Sequence, residues 1–269
     1  MIKKNFILSV LFIMLINFVN ANENASNGYK VKKRFTSSIF LQSNKQKNST
    51  IILSHGSGGV WKHISMWKDR LFKKGYNVVI IDHHTEKGIQ PHVGRRNYTD
   101  FPEERVKDLL KLSRWIKKKK WNKDKIGVIG FSYGGAGTNL LANNLELSIL
   151  KDFKKKDKKL FGAIVSYYPG CGLAGGSIPH NSYVPILIHI AEKDELVTPY
   201  INCIEPINNP NLTLYKYLEA QHSFDVDMPG FKYEGIILAT GRKFTNIGHD
   251  ESRVLSIKRT LKFLKQHLD

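Results

Sequence analysis

Cysteine is scarce in this sequence, with only Cys171 and Cys203 among 269 residues. Two cysteines are too few for a small disulfide-stapled scaffold or for a zinc site built from four cysteines. Proline is also scarce, at 9 residues, and the 21 glycines follow no collagen-like period. No apolar run reaches the ~20 residues that a stable membrane-spanning helix needs. With 41% hydrophobic residues, the chain has ample material for a packed core.

The longest apolar run, Phe6–Val19, lies near the N-terminus behind the basic pair Lys3-Lys4. The run ends in small residues, at Val19-Asn20-Ala21. A basic start, a short apolar core and an A-x-A-like end are typical of a secretory signal peptide. We therefore predict a signal peptide over residues 1–21, a flexible segment over 22–33, and export to the periplasm or the exterior. An uncleaved membrane anchor is the alternative. In an oxidising compartment the two cysteines could form a disulfide, and the sequence leaves their pairing open.

The charge of the chain is strongly positive, at +19. Its basic residues cluster in Lys117–Lys120 and in Lys151–Lys159. Such a surface attracts polyanions, but neither run is interleaved with aromatic residues at a spacing suited to base stacking. No nucleic-acid-binding motif is present either. We interpret the two runs as solvated faces and expect no nucleic-acid partner, with a polyanion-binding surface protein as the alternative.

Short apolar runs alternate with amphipathic segments along the rest of the chain. This alternation predicts an α/β fold, in which helices cover both faces of a mostly parallel sheet. With no internal repeat or linker, residues 34–269 are predicted to form a single domain. The strands are expected at Ser37–Leu41, Thr50–Ser54, Val78–Ile81, Ile126–Phe131, Ala163–Tyr167, Ile186–Ile190 and Leu212–Tyr217, and the helices at Met66–Lys74, Glu103–Lys119, Gly135–Leu147 and Glu251–Leu268. Functional residues of such sheets lie just after the carboxyl ends of the strands.

The segment Gly130-Phe131-Ser132-Tyr133-Gly134 matches the pattern G-x-S-x-G. The pattern alone is weak, but here it lies directly between a predicted strand and a predicted helix. That is the position of a nucleophile elbow, a strained turn that exposes a serine hydroxyl above the sheet. Ser132 is therefore the candidate nucleophile, and a glycine-rich turn without chemistry is the alternative.

A serine nucleophile needs a base, and the base needs an orienting carboxylate. In sheets of this kind the order along the chain is serine, acid and histidine. Asp194 and His222 follow the ends of successive predicted strands in that order. Glu192 and Glu195, which flank Asp194, are more simply solvated loop carboxylates. Asp225 follows His222 too closely to reach its ring as the triad acid does, and His249 could cap or pack against the last helix.

The glycine-rich segment His55-Gly56-Ser57-Gly58-Gly59 follows an earlier predicted strand. When the nucleophile lies on such an elbow, the oxyanion hole is formed by the backbone N–H of the residue after the nucleophile and by a second N–H from a loop of this kind. We therefore predict that the amides of Tyr133 and Ser57 form it. His55 is expected to hold the loop in place.

Polar residues that follow another strand end could face the site. His83, His84 and Arg95 are candidate substrate contacts, with a surface loop or a metal site as alternatives. No carboxylate or cysteine at a suitable spacing completes a metal-ligand set, so no metal is expected. The segment Met228–Asn246, which follows His222, is a candidate lid.

Taken together, these segments resemble the dienelactone hydrolase family of α/β-hydrolases. The resemblance covers residues 50–225 and is carried by His55–Gly59, Gly130–Gly135, Tyr167–Cys171, Glu192–Asp194 and Ala220–Asp225. It implies an α/β-hydrolase fold and a Ser132-Asp194-His222 triad. It also implies a cofactor-free, metal-independent hydrolase that cleaves a small-molecule ester or lactone through an acyl-enzyme.

The chain has Ser132 where the namesake enzymes of the family have cysteine, which favours a broader carboxylesterase over dienelactone cleavage. A peptidase or acyltransferase on the same fold is an alternative, as is a non-catalytic secreted binding protein. The sequence leaves the oligomeric state open.

Overall fold

The structure is a computed structural model. It describes residues 28–30, 39–41, 49–91, 101–122, 124–143, 153–170, 178–196, 208–228, 230–237 and 243–269. The predicted signal peptide, Arg95, Cys171 and Cys203 lie outside the described residues.

An eight-stranded sheet forms the centre of the molecule, in the order β1-β2-β4-β3-β5-β6-β7-β8. The six strands from β3 to β8 pair in parallel, and β1 and β2 add an antiparallel edge next to β4. The strands are β1 Gly28–Lys30, β2 Ile39–Leu41, β3 Thr50–Ser54, β4 Asn77–Ile81, β5 Ile126–Phe131, β6 Phe161–Tyr167, β7 Ile186–Ala191 and β8 Leu212–Tyr217. The predicted mostly parallel sheet is confirmed.

Within the described residues, four α-helices pack on this sheet, and all four were predicted, with an apolar 3.6-residue repeat as the signal for α2. They are α1 Lys62–Lys73, α2 Pro102–Ile116, α3 Tyr133–Ala142 and α4 Asp250–Leu268. The structure starts α1 four residues before the predicted Met66, and α3 two residues before the predicted Gly135. The early start of α3 places its first turn directly after Ser132. Among the described residues, no helix combines the length and the apolar character needed to cross a bilayer.

Two apolar clusters hold the helices to opposite faces of the sheet. Successive side chains of a strand point to opposite faces, so Ile52 joins the cluster with α2 and α3, whereas Ile51 and Leu53 join the cluster with α1 and α4. Every residue of β3, β4, β5, β6 and β7 is buried. This explains why those strands read as continuous apolar runs instead of alternating patterns.

A small antiparallel hairpin follows the His222 region, with β9 at Lys232–Ile237 and β10 at Lys243–Ile247. It occupies most of the segment that we predicted as a lid. The Ile247 amide donates to the Gln221 Oε1 atom at 2.7 Å, which ties the hairpin to the residue before His222. A closing motion of this hairpin stays a prediction.

Candidate active site

Ser132 lies in a strained turn between β5 and α3, with φ 54° and ψ −116°. Positive φ is uncommon for a residue with a side chain and is found where the surrounding structure enforces it. Here the Ser132 amide donates to the Tyr167 carbonyl at 2.9 Å, while the Ala136 amide donates to the Ser132 carbonyl at 3.0 Å. The turn is therefore held from both sides, by the neighbouring strand β6 and by the first turn of α3.

Two glycines make this turn possible. A Cβ on Gly130 would collide with the carbonyl of Gly134, and a Cβ on Gly134 would collide with the carbonyl of Ser54. Both obstacles are backbone atoms, which cannot rotate away as a flexible side chain does. The glycines of the G-x-S-x-G pattern are thus required by the close passage of β5, α3 and β3.

The structure brings Ser132, His222 and Asp194 together. The Ser132 Oγ lies 2.9 Å from the His222 Nε2, and the His222 Nδ1 lies 2.6 Å from the Asp194 Oδ2. His222 and Asp194 are buried, with 4% and 2% of their surface exposed, whereas Ser132 is half-buried. The other Asp194 oxygen accepts a hydrogen bond from the Leu196 amide at 2.9 Å, which fixes the carboxylate. In this arrangement His222 can accept the serine proton, and Asp194 orients the imidazole.

The glycine-rich loop after β3 lies against the nucleophile. A Cβ on Gly56 would lie 3.1 Å from the Ser132 Cβ and 3.6 Å from its Oγ. Ser57, the next residue, is half-buried, and Tyr133 is the first residue of α3. The backbone of this loop therefore lies beside Ser132, next to the start of α3, and the oxyanion hole formed by the Ser57 and Tyr133 amides stays a prediction.

The sequence profile of the dienelactone hydrolase family matches residues 36–268. The chain belongs to that family. Family membership makes it a hydrolase that acts on ester bonds. No curated protein sequence is significantly similar to it.

Solved structures with a similar fold include a dienelactone hydrolase from Anabaena variabilis, at 14% identity and a TM-score of 0.60, with 90% of this chain and 98% of that chain covered. An esterase from Pyrococcus furiosus is 18% identical, with a TM-score of 0.53 and coverage of 86% and 87%. An α/β-hydrolase from a deep-sea metagenome is 15% identical, with a TM-score of 0.51 and coverage of 89% and 97%. At these identities the likeness supports the α/β-hydrolase fold.

In this family member, His55 holds the loop that contains Ser57. Its Nε2 accepts from the His83 amide at 2.9 Å, and its Nδ1 donates to the Gly56 carbonyl at 2.5 Å. Arg105, which is fully buried, donates to the His55 carbonyl. Burial lowers the pKa of His55 to about 4, and the nearby Arg105 charge acts in the same direction. A neutral His55 can make both ring hydrogen bonds at once, so it keeps the loop in one conformation.

His83 and His84, which we predicted as candidate substrate contacts, are both buried. The two ring nitrogens of His83 lie 2.9 Å from the Ser54 Oγ and 2.9 Å from the Asp108 Oδ2, which leaves neither nitrogen for a substrate. The His84 Nε2 accepts from Arg105 at 3.2 Å, and its ring packs edge-on against His55. Both residues therefore support the loop from beneath. The position of a residue just after a strand does not tell whether its side chain supports a neighbouring loop or contacts the substrate.

Sequence reasoning missed the role of Asp225, which is completely buried three residues after His222. Its Oδ2 accepts from the His63 Nε2 at 2.7 Å and from the Trp67 Nε1 at 2.6 Å, and its Oδ1 accepts from the Tyr168 hydroxyl at 2.6 Å. Burial raises the pKa of this carboxyl, but the His63 charge and the three hydrogen bonds outweigh it, so the net pKa lies below its usual range. The Tyr168 ring also packs edge-on against the His222 ring, with centroids 4.6 Å apart. Asp225 thus connects the base-bearing turn to α1 and to the end of β6.

Proposed function

We propose that this chain is a serine carboxylesterase that cleaves a small-molecule ester or lactone through an acyl-enzyme. The observation that carries the proposal is the continuous path from the Ser132 hydroxyl through the His222 ring to the Asp194 carboxylate, with contacts of 2.9 and 2.6 Å. Such a path activates a hydroxyl that is otherwise a poor nucleophile.

In the proposed reaction, the His222 Nε2 takes the proton of Ser132 while the Oγ attacks the carbonyl carbon of the ester. The amides of Tyr133 and Ser57 donate hydrogen bonds to the oxyanion that forms. Asp194 stabilises the imidazolium, which then protonates the leaving alcohol. A water molecule, deprotonated by His222, attacks the acyl-enzyme and releases the acid and Ser132.

The nature of the nucleophile favours simple carboxylic esters. A serine hydroxyl has a much higher pKa than a cysteine thiol and depends fully on its base. Ser132 contacts that base directly in the structure. We therefore expect activity on short-chain esters and lactones without a requirement for the dienelactone group.

The test is the hydrolysis of a short-chain p-nitrophenyl ester by the wild type and by Ser132→Ala. We expect kcat to fall by at least about a thousandfold in the variant, since removal of a triad nucleophile costs that much or more. Ser65→Ala, on α1, is the control and should retain wild-type activity. A fluorophosphonate probe should label the wild type and leave Ser132→Ala unlabelled. An unchanged rate in Ser132→Ala would refute the proposal.

We further propose that the mature protein is exported, as the basic, apolar and small-residue pattern of residues 1–21 favours. N-terminal sequencing of the protein from its native host should then begin at Asn22. Recovery of the full-length chain in the membrane fraction would instead support the uncleaved anchor.

A further inference from the structure

A groove of about 620 Å³ lies between α1 and α4, and none of Ser132, His222 and Asp194 lines it. Cationic side chains dominate its walls, and the remaining lining is mainly aliphatic. The cations are Arg70, Lys74, Arg253, Lys258, Lys262 and Lys265, and Asp227 is the only carboxylate that the described part of the chain adds to the lining. A volume of this size fits a small organic molecule better than a single ion.

Two arginines at one end of the groove are held by a shared carboxylate. Arg70 donates to one oxygen of Asp227, and Arg253 donates to the other. The Nε of Arg253 also donates to Asp250 at 3.1 Å. Asp227 and Asp250 therefore compensate the two arginines, so the excess positive charge of the lining lies on its four lysines.

The four lysines carry that excess charge. Lys74, Lys258, Lys262 and Lys265 are exposed, and within the described ranges none of them forms an ion pair with a carboxylate. The three lysines of α4 are spaced at i, i+4 and i+7, so they lie along one side of the helix. Four like charges beside one groove repel one another, and an anionic ligand relieves that repulsion.

Arg70 is held in place at one end of the groove. Its guanidinium lies over the Trp67 ring, 5.2 Å from the centroid, which limits its freedom to move. Its Nη1 is buried, so the donors that a ligand in the groove can reach are those of the exposed lysines.

We propose that the groove binds a small molecule that carries at least two adjacent phosphate groups. Lysine ammonium groups bind phosphate oxygens as compact positive charges, and the four exposed lysines of the groove supply them. Val254, Leu261 and Ile257 provide an aliphatic side for the organic part of the ligand. This site does not depend on the esterase proposal.

The lining favours this ligand over a nucleic acid. Tyr76, the one aromatic side chain among the described residues that line the groove, is 2% exposed, and its hydroxyl donates to Asp269 at 2.9 Å. It therefore offers no free ring face on which a base could stack. Single-stranded nucleic-acid sites depend on such faces in addition to positive charge.

The test measures the binding of inorganic tripolyphosphate by titration calorimetry at about 150 mM salt, where long-range attraction to a basic protein is largely screened. We expect the wild type to bind with a dissociation constant below about 1 mM. The variant K74Q/K258Q/K262Q removes three groove charges from exposed positions and should bind at least about tenfold more weakly. The variant K117Q/K118Q/K120Q, which removes three charges at the end of α2, is the matched control and should stay within about twofold of the wild type.

Three results would overturn the proposal. The first is an absence of tripolyphosphate binding by the wild type under these conditions. The second is an equal loss in both triple variants, which would show general attraction to net charge. The third is binding to phosphatidylglycerol vesicles that depends on the groove lysines and that tripolyphosphate does not inhibit. In that case the groove would recognise a lipid surface and not a soluble phosphate compound.

Discussion

Replacement of Asp225 by asparagine tests whether the buried carboxylate holds the base-bearing turn in place. The substitution keeps the size of the side chain and removes its charge. In the best orientation, the asparagine carbonyl occupies the place of Oδ2 and still accepts from His63 and Trp67. Its NH2 group then faces Tyr168, whose hydroxyl can rotate and accept. All three contacts survive in this orientation, but none of them has a carboxylate as acceptor.

The expected cost follows from that loss of charge. Hydrogen bonds to a charged group contribute ~1.5–3 kcal/mol each, whereas neutral ones contribute ~0.5–1.5 kcal/mol. Three bonds that each lose about 1 kcal/mol lower the free energy of unfolding by roughly 2–4 kcal/mol at pH 7, less any relief from no longer burying a charge. This is a large part of the ~5–15 kcal/mol by which a typical domain is stable.

The assay is urea unfolding of both proteins, followed by far-UV circular dichroism. Asp69→Asn is the control, because the Asp69 side chain is 59% exposed and forms an ion pair with the neighbouring Lys68. It should change the unfolding free energy by less than about 0.5 kcal/mol. If Asp225→Asn also changed the unfolding free energy by less than about 0.5 kcal/mol, the structural role of Asp225 would be refuted.

Acidification provides a second check on the same variant. The folded-state pKa of Asp225 is lowered, so the carboxylate adds stability above its unfolded pKa and loses it as the pH falls through the folded value. The difference between wild type and Asp225→Asn should therefore shrink at low pH. A difference in unfolding free energy between the two proteins that stays constant as the pH falls would contradict the charge-based explanation.

Three further predictions test other parts of the structure. Gly134→Ala forces a Cβ against the Ser54 carbonyl, so we expect a loss of soluble, active protein in expression trials, and full activity would contradict the close packing. If Cys171 and Cys203 form a disulfide, the intact mass should increase by two hydrogen atoms on reduction, and an unchanged mass would exclude the bridge. Burial lowers the pKa of His189 to about 3, so only the unfolded state gains this proton between pH 7 and pH 5. Stability then falls by about 2 kcal/mol from this group alone, and His189→Gln should lack that part of the acid sensitivity in urea titrations.

The residues with the strongest local constraints were predictable from the sequence. The strands β5 and β8 have the predicted bounds, because each is a short apolar segment bordered by polar or turn residues. The meeting of Ser132, Asp194 and His222 was predicted from chain order, since successive parallel strands bring their carboxyl ends to one edge of the sheet. The topology of the sheet brings these three positions together, and the alternation of strands and helices along the sequence predicts that topology.

Other contacts could not be predicted, because they join residues whose local sequence carries no signal of the pairing. Asp225 meets His63 and Trp67 across more than 150 positions of the chain, and an aspartate in a turn is most often solvated. His83 and His84 were misread for the same reason, since their partners Asp108 and Arg105 lie on a separate helix, α2. Side-chain partners of this kind depend on how the helices pack on the sheet. The apolar periodicity of a helix predicts which of its faces is buried, but it does not predict which residues that face contacts.

The turn from His222 to Asp227 shows why such long-range contacts matter at this site. A base must be held within about 0.5 Å of its productive position relative to the nucleophile, yet a turn lacks the repeated backbone hydrogen bonds of a helix or strand. Here the side chains supply the missing restraint: Asp225 is bound by α1 and β6, and Asp227 bridges α1 and α4 through two arginines. Both carboxylates thus tie the same short segment to α1. The position of His222 therefore depends on the packing of two helices as much as on the strand that precedes it.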